Sequence, residues 1–280
     1  TPASPAPTGS ASRYVDTLPS ANLRYELADG LYLRGAASKT LTRPDFNQMS
    51  PSVTLNLVQM NGSGGNPALR PVRSDNLDLA VERYFGKSSS IHLTAFNKRV
   101  DGFLITASNP EAYGGATYQV SRPQNANTAD IRGAEIGYQQ FYESLPGFGL
   151  QANYTRVDSS TLDSTLHQTV PLQNLSKNSL NLIALYERGP ASARLAWNWR
   201  DKFLSSVGNY PGVGAVPVYT RAYGWLDGSF GYRVTDKLTV SIEGNNLLRT
   251  VRRSYYGTES RPADAWINDR QIVLAASLRY

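Results

Sequence analysis

Two histidines, His92 and His167, are the only imidazoles in this chain, and it has no cysteine. A zinc site needs about four N, S or O ligands at close spacing. The two histidines stand far apart, with no carboxylate cluster beside either. His92 lies among several serines, which is the start of a Ser–His arrangement, but no third group is placed to orient it. No pair of carboxylates is set out as in a glycosidase. The chain therefore reads as neither an enzyme nor a metalloprotein: no catalytic residue, no metal ligand and no cofactor is expected. The aromatic residues offer more. Tyr223 and Trp225 share one face of a segment with Arg221, Asp227 and Ser229, where their rings can stack on a sugar, and they are the candidate substrate contacts. Trp197 and Trp199 fall on an apolar face instead. Amphipathic rings in that setting anchor a protein at a membrane–water interface, so these two are expected girdle residues.

The segments that must position these residues share one rhythm. Stretches of roughly ten residues alternate apolar and polar side chains, the period of a β-strand between two environments. In Leu238–Asn245, Leu238, Val240 and Ile242 fall on one face and Thr239, Ser241 and Glu243 on the other. The same alternation predicts strands at Leu18–Leu27, Leu31–Leu41, Asp75–Phe85, Ile131–Tyr142, Phe148–Val157, Asn178–Tyr186, Tyr219–Arg233, Leu238–Leu248 and Asn268–Tyr280. One further strand surrounds Ala193–Trp199. Another starts at Ser89 and runs through a bulge at Asp101–Gly102 to Thr106. The count is about eleven. The links alternate between tight turns, such as Ala28-Asp-Gly30, and long segments rich in Pro, Asn and Gly. One trimmed rim and one elaborated rim are how an outer-membrane barrel is built.

Composition fits this reading. The 280 residues are 40% apolar, with 17 Tyr and four Trp. No run approaches the roughly 18 apolar residues of a spanning helix, whereas a barrel strand needs only one apolar face. The formal charge of +6 is scattered, which argues against nucleic acid as a partner. Arg24, Glu26, Arg34, Glu82, Glu135, Arg194, Arg200 and Glu243 alternate with apolar residues and are assigned to a lumen, since a charge facing lipid near the midplane would cost a few kcal/mol. Residues 1–13 are Pro/Ser/Ala-rich and read as irregular; residues 14–280 read as barrel. An odd number of up-and-down strands would leave the first and last parallel, so the chain is expected to be part of a larger barrel. Arg43-Pro-Asp-Phe46, Gly65-Asn-Pro67 and Leu69-Arg-Pro71 read as strand termination and loop architecture.

The segments Ala37-Ser-Lys-Thr-Leu-Thr-Arg-Pro-Asp-Phe46, Gly65–Pro71 with Ser74–Leu77, Phe96-Asn-Lys-Arg-Val-Asp-Gly-Phe103, Arg132-Gly-Ala-Glu-Ile136 and Gly244-Asn-Asn-Leu-Leu248 occur together and in order. On them the chain resembles the C-terminal half of a TonB-dependent outer-membrane receptor, of the branch typical of Caulobacter and Xanthomonas relatives. The resemblance implies an all-β antiparallel transmembrane barrel of about 22 strands, of which this chain supplies the second half. It implies a plug domain and a TonB box outside the chain, and active import of a scarce nutrient, carbohydrate or siderophore. The implied partners are the lipid bilayer, the TonB–ExbB–ExbD complex, the barrel assembly machinery and a small-molecule or oligosaccharide ligand. Tyr280 would be the C-terminal assembly signal. Two rival readings make different demands: a smaller self-contained barrel or outer-membrane enzyme needs its first and last strands paired, and a soluble carbohydrate-binding β-protein needs its apolar faces buried.

Overall fold

The computed structural model describes residues 13–126, 128–163, 166–210 and 214–279. Among them every regular element is a strand. In chain order these are β1 (Ser20–Ala28), β2 (Leu31–Thr42), β3 (Val53–Asn56), β4 (Asn61–Gly64), β5 (Val72–Phe85), β6 (Ser89–Asp101) and β7 (Leu104–Tyr113). Then follow β8 (Ala116–Asn125), β9 (Ala129–Phe141), β10 (Phe148–Asp163), β11 (Gln168–Val170), β12 (Asn178–Arg188), β13 (Ala191–Arg200) and β14 (Phe203–Tyr210). The last six are β15 (Gly214–Thr220), β16 (Tyr223–Arg233), β17 (Leu238–Asn245), β18 (Val251–Tyr256), β19 (Pro262–Ile267) and β20 (Gln271–Leu278).

Eleven of them form one antiparallel wall in the order β1-β2-β5-β6-β9-β10-β12-β13-β16-β17-β20, with β11 hung on β10. Cross-strand register carries the alternation from strand to strand. One row runs from Tyr25 through Leu33, Val81, Leu93, Ile136, Tyr154 and Leu180 to Trp199. The neighbouring row on the opposite face runs from Glu26 through Glu82, His92, Asn153 and Asn198 to Trp225. The wall is a single layer, and nothing among the described residues covers its apolar face: Leu79 and Leu93 are each 54% exposed and Leu274 is 77% exposed. A soluble β-protein would bury these side chains, and the soluble reading fails on this observation. β1 and β20 stand at opposite ends of the wall and do not pair with each other, which removes the small closed barrel as well.

The buried side chains lie at the elaborated rim. There β3, β4, β8 and β7 form a first rim sheet, in which β4 and β8 run parallel, and β14, β15, β18 and β19 form a second. Val120 and Tyr118 are buried under the first, and Leu204, Val218 and Tyr255 under the second. Several boundaries differ from the sequence reading, among them the starts of β5 at Val72 and β20 at Gln271 and the end of β10 at Asp163; three of the shifts change which sheet a residue joins or where a wall strand stops. The strand from Ser89 stops at Asp101; Gly102, with φ +67°, turns the chain out of the wall, and Leu104–Tyr113 joins the first rim sheet, so the odd count of the wall survives. Tyr219 and Thr220 belong to β15, and the wall strand begins at Tyr223. β17 ends at Asn245 because Asn246 adopts φ +51°. The expected irregular segment 1–13 and Tyr280 lie outside the described residues, apart from Arg13.

Candidate ligand-binding surface

The polar face of the wall carries paired charges. Arg34 Nε meets Glu82 Oε2 at 2.8 Å, and the Tyr84 hydroxyl donates to the same carboxylate at 3.0 Å. Glu135 accepts from Asn153 Nδ2 at 2.8 Å and Thr155 Oγ1 at 3.3 Å, and lies 3.6 Å from His92 Nε2. His92 lies across Gly137, where a Cβ would come within 2.1 Å of its ring. Its nearest acidic partner is Glu135, and among the described residues no group of three or more His, Asp or Glu is placed to hold a metal ion.

The wall hands over to the second rim sheet through Arg200. Its guanidinium donates to Ser176 Oγ at 2.8 Å and to the Asn174 carbonyl at 2.7 Å, and stacks on Phe203 at 3.9 Å. Tyr223 is the register partner of Arg200 and Trp225 that of Asn198, so both candidate contacts sit on the polar face, below this sheet. Above them arginines and rings alternate. Tyr219 and Tyr255 stack with centroids 5.7 Å apart, Arg221 lies 5.9 Å from the Tyr255 ring, and Arg252 lies 4.7 Å from the ring of Trp266. Burial pushes the Tyr255 hydroxyl above the ordinary phenol range. Arg252 and Arg253 border a cavity of about 450 Å³ with Ser206, Thr220, Tyr256 and Trp266. Arg252 on the exposed Trp266 ring, with Arg221 near the buried Tyr255, suits a ligand that is both anionic and aromatic.

The first rim sheet is fastened by one arginine. Arg122 donates from Nε to Glu111 Oε1 at 2.7 Å, and from Nη2 to Glu111 Oε2 and the Tyr113 hydroxyl at 2.9 Å each; Nη1 reaches the Gly65 carbonyl. The guanidinium's hydrogen bonds and those of Tyr113 hold the Glu111 carboxyl down at about 2. Gly65 has no room for a side chain, since a Cβ would lie 2.4 Å from the Ser50 carbonyl oxygen. Asn66 donates to the Pro123 carbonyl at 3.0 Å, and Asn125 exchanges hydrogen bonds with Arg70 at 2.8 and 2.9 Å. The Gly65–Pro71 motif is thus the seam between two rim excursions.

Trp197 and Trp199 project from the outer face beside Leu182 and Leu180. The sequence reading missed a second outward aromatic group at the trimmed rim: Phe148 faces Tyr186, and Phe230 and Tyr232 follow in the same phase on β16. Their alternation phase was the available signal. It also missed Asn246, 1% exposed, whose Nδ2 donates to the Asn268 carbonyl at 2.7 Å and whose Oδ1 accepts from Thr250 N at 2.8 Å. Beside it, Leu247 packs over the paired glycines Gly228 and Gly244.

A one-layer wall with an exposed apolar face, a charged inner face and one folded rim defines an outer-membrane barrel protein. The family described as TonB dependent receptor-like, beta-barrel matches residues 1–247, and the chain belongs to it. It is 26% identical over 250 residues to the iron-regulated outer membrane virulence protein of Vibrio cholerae serotype O1, covering 80% of this chain and 34% of that protein. Similar folds include the ferric enterobactin receptor PfeA in complex with BCV-L6 (16% identity, TM-score 0.65, 93% of this chain and 40% of that one). Another is the siderophore receptor PirA from Acinetobacter baumannii (18% identity, TM-score 0.61, 83% of this chain and 37% of that one). The chain spans about a third of the length of its curated relative. It is a protein of the bacterial outer membrane, and the apolar face of its wall meets lipid.

Proposed function

We propose that this chain is the C-terminal barrel portion of a TonB-dependent import receptor whose cargo is a ferric siderophore. The observation that carries this reading is the second rim sheet, where Arg221 and Arg252 lie against Tyr255 and Trp266 above the Arg200–Tyr223–Trp225 stretch of the polar face. An iron chelate with anionic aromatic arms meets both needs of that surface, and the iron-regulated relative and siderophore-receptor neighbours support it. The rim captures the cargo and the polar face passes it inward, with no covalent chemistry. The edges of β1 and β20 pair with further strands of the same barrel, because unpaired backbone groups are untenable in lipid. Energy comes from TonB–ExbB–ExbD through a plug and TonB box, and the assembly machinery reads the C-terminal segment, with Tyr280 as the signal residue. Trp197 and Trp199 anchor the outer face at the interface. A saccharide cargo, implied by the branch resemblance, draws support from Tyr223 and Trp225, whose rings can stack on a pyranose. Uptake of radiolabelled ferric siderophores by iron-starved cells tests the proposal. Arg252→Ala/Arg253→Ala is expected to lower uptake about tenfold or more while leaving receptor abundance intact, consistent with the loss of about two charge-assisted contacts. Uptake that is unchanged, or that no ferric siderophore supports, refutes it.

A further inference from the structure

We infer that the apolar face of the wall carries a site for one anionic phospholipid, entered from the trimmed rim. Elsewhere that face is filled by long side chains, as in the row from Leu33 through Val81 and Leu93 to Ile136. Toward the other end of the wall two neighbouring rows are interrupted. One runs from Ala184 through Leu195, Gly228 and Gly244 to Ile272, and the next from Tyr186 through Ala193 and Phe230 to Ile242. The short side chains leave a groove of about 420 Å³, with Ala184, Ala193 and Gly228 in its lining between Tyr186, Leu195 and Phe230. Glycine inside a strand often marks a close approach by something else. Leu247 explains Gly244, because a Cβ there would lie 2.6 Å from its Cδ2. Held by its amide on the Leu226 carbonyl at 2.7 Å, Leu247 also closes the groove on the elaborated side. From Leu226 to Phe230 the strand rises about 13 Å, roughly half of the apolar band of a barrel. The groove therefore belongs to the leaflet at the trimmed rim.

The lipid-facing position of this groove makes an acyl chain its natural occupant. Leaving lipid for such a groove brings no hydrophobic gain, so packing and the headgroup decide which lipid stays. Cations stand at the open end. Arg188 shares a row with Ala191 and Tyr232 on the same face, one step beyond Tyr186. Lys237 lies in the turn just before Leu238. Among the described residues neither side chain has an ion pair or hydrogen bond. Arg233, in the same turn region, donates from Nη2 to the Gly189 carbonyl at 3.2 Å. The nearby carboxylates are Asp236, beside Lys237, and Glu187, which falls in the opposite phase to Arg188. Positive charge thus predominates at the mouth, and the Tyr232 hydroxyl adds a donor beside it. That complements a phosphodiester with an uncharged or anionic head better than one carrying its own ammonium.

The test takes the intact receptor from nanodiscs of equal phosphatidylglycerol and phosphatidylcholine and reads retained lipid by native mass spectrometry. The wild type is expected to keep one lipid, with phosphatidylglycerol favoured about tenfold. Ala193→Phe fills the groove from a face that meets lipid and is expected to lower retention at least fivefold. Ala184→Leu, one row away, is expected to do the same, and decides the matter if the first variant does not fold. Arg188→Gln/Lys237→Gln is expected to keep a lipid but lose the preference for phosphatidylglycerol. A wild type that retains no lipid, or that retains both lipids equally, overturns the inference. So does retention that filling the groove leaves unchanged.

Discussion

Replacing Arg122 by Gln should loosen the first rim sheet internally, between β8, β7 and the Gly65 segment, without unfolding the wall. Arg122 makes four hydrogen bonds: two to Glu111, one to Tyr113 and one to the Gly65 carbonyl. A bidentate, charge-assisted pair contributes roughly 1.5–3 kcal/mol, and removing one partner strands the other. The side chains are about a fifth to a quarter exposed (19% and 26%), so solvent screens part of this and about 2 kcal/mol is the expected loss. Amide hydrogen exchange in the intact receptor reads it directly, because local opening is governed by local free energy. Exchange in β7, β8 and residues 61–66 should accelerate about thirtyfold, while β9 and β12 keep wild-type rates. The pH dependence has a defined sign. The Glu111 carboxyl sits at about 2 against an ordinary 4.5, so its contribution is fully present above 4.5 and is lost as pH falls from 4.5 through 2. Wild-type protection of β7 and β8 should therefore decline across that window, and the variant should show little change there. Wild-type exchange rates in the variant, or equal acceleration throughout the wall, would refute the reasoning.

Three further outcomes follow from the geometry. Asn246→Ala strands the Asn268 carbonyl and the Thr250 amide and leaves Ala at a positive φ; it should destabilise the rim end of β17 by about 3–5 kcal/mol, seen as a lower urea midpoint in detergent. Gly65→Ala drives a Cβ into the Ser50 backbone and should raise exchange at residues 47–66 by an amount worth about 1–3 kcal/mol, with wall strands unaffected. Residues 1–280 reconstituted alone should give no stable conducting pore, since β1 and β20 each leave an edge unpaired; a closed wall with steady single-channel conductance contradicts this.

The wall was legible because a period of two over ten residues has one physical meaning, and register propagated it. Leu238–Ile242 read alone gave the same face assignment that Ile272 and Leu274 confirm across the ladder. The rim was not legible. Gly114 and Gly115, both at positive φ, are a two-residue hairpin signal between Tyr113 and Ala116, yet the surrounding residues 107–118 lack a strong apolar alternation. The parallel pairing of β4 with β8 joins residues far apart in the chain, Asn61 beside Gln119 and Ser63 beside Ser121, and no local pattern encodes it. Of the candidate contacts, the face of Tyr223 and Trp225 was readable from alternation. The arginine–ring stacking on Tyr255 and Trp266 needed the fold, because β15, β18 and β19 meet only through long excursions.

The central claim is that one face of the wall meets lipid and the other lines a passage. Spin labels placed singly at residues 134–139 of β9 in the intact, membrane-embedded receptor test it most directly. Labels at 134, 136 and 138 should collide with dissolved oxygen and be shielded from a water-soluble nickel chelate, and labels at 135, 137 and 139 should show lower oxygen access. Uniform accessibility along these six positions, or the opposite phase, would contradict the account.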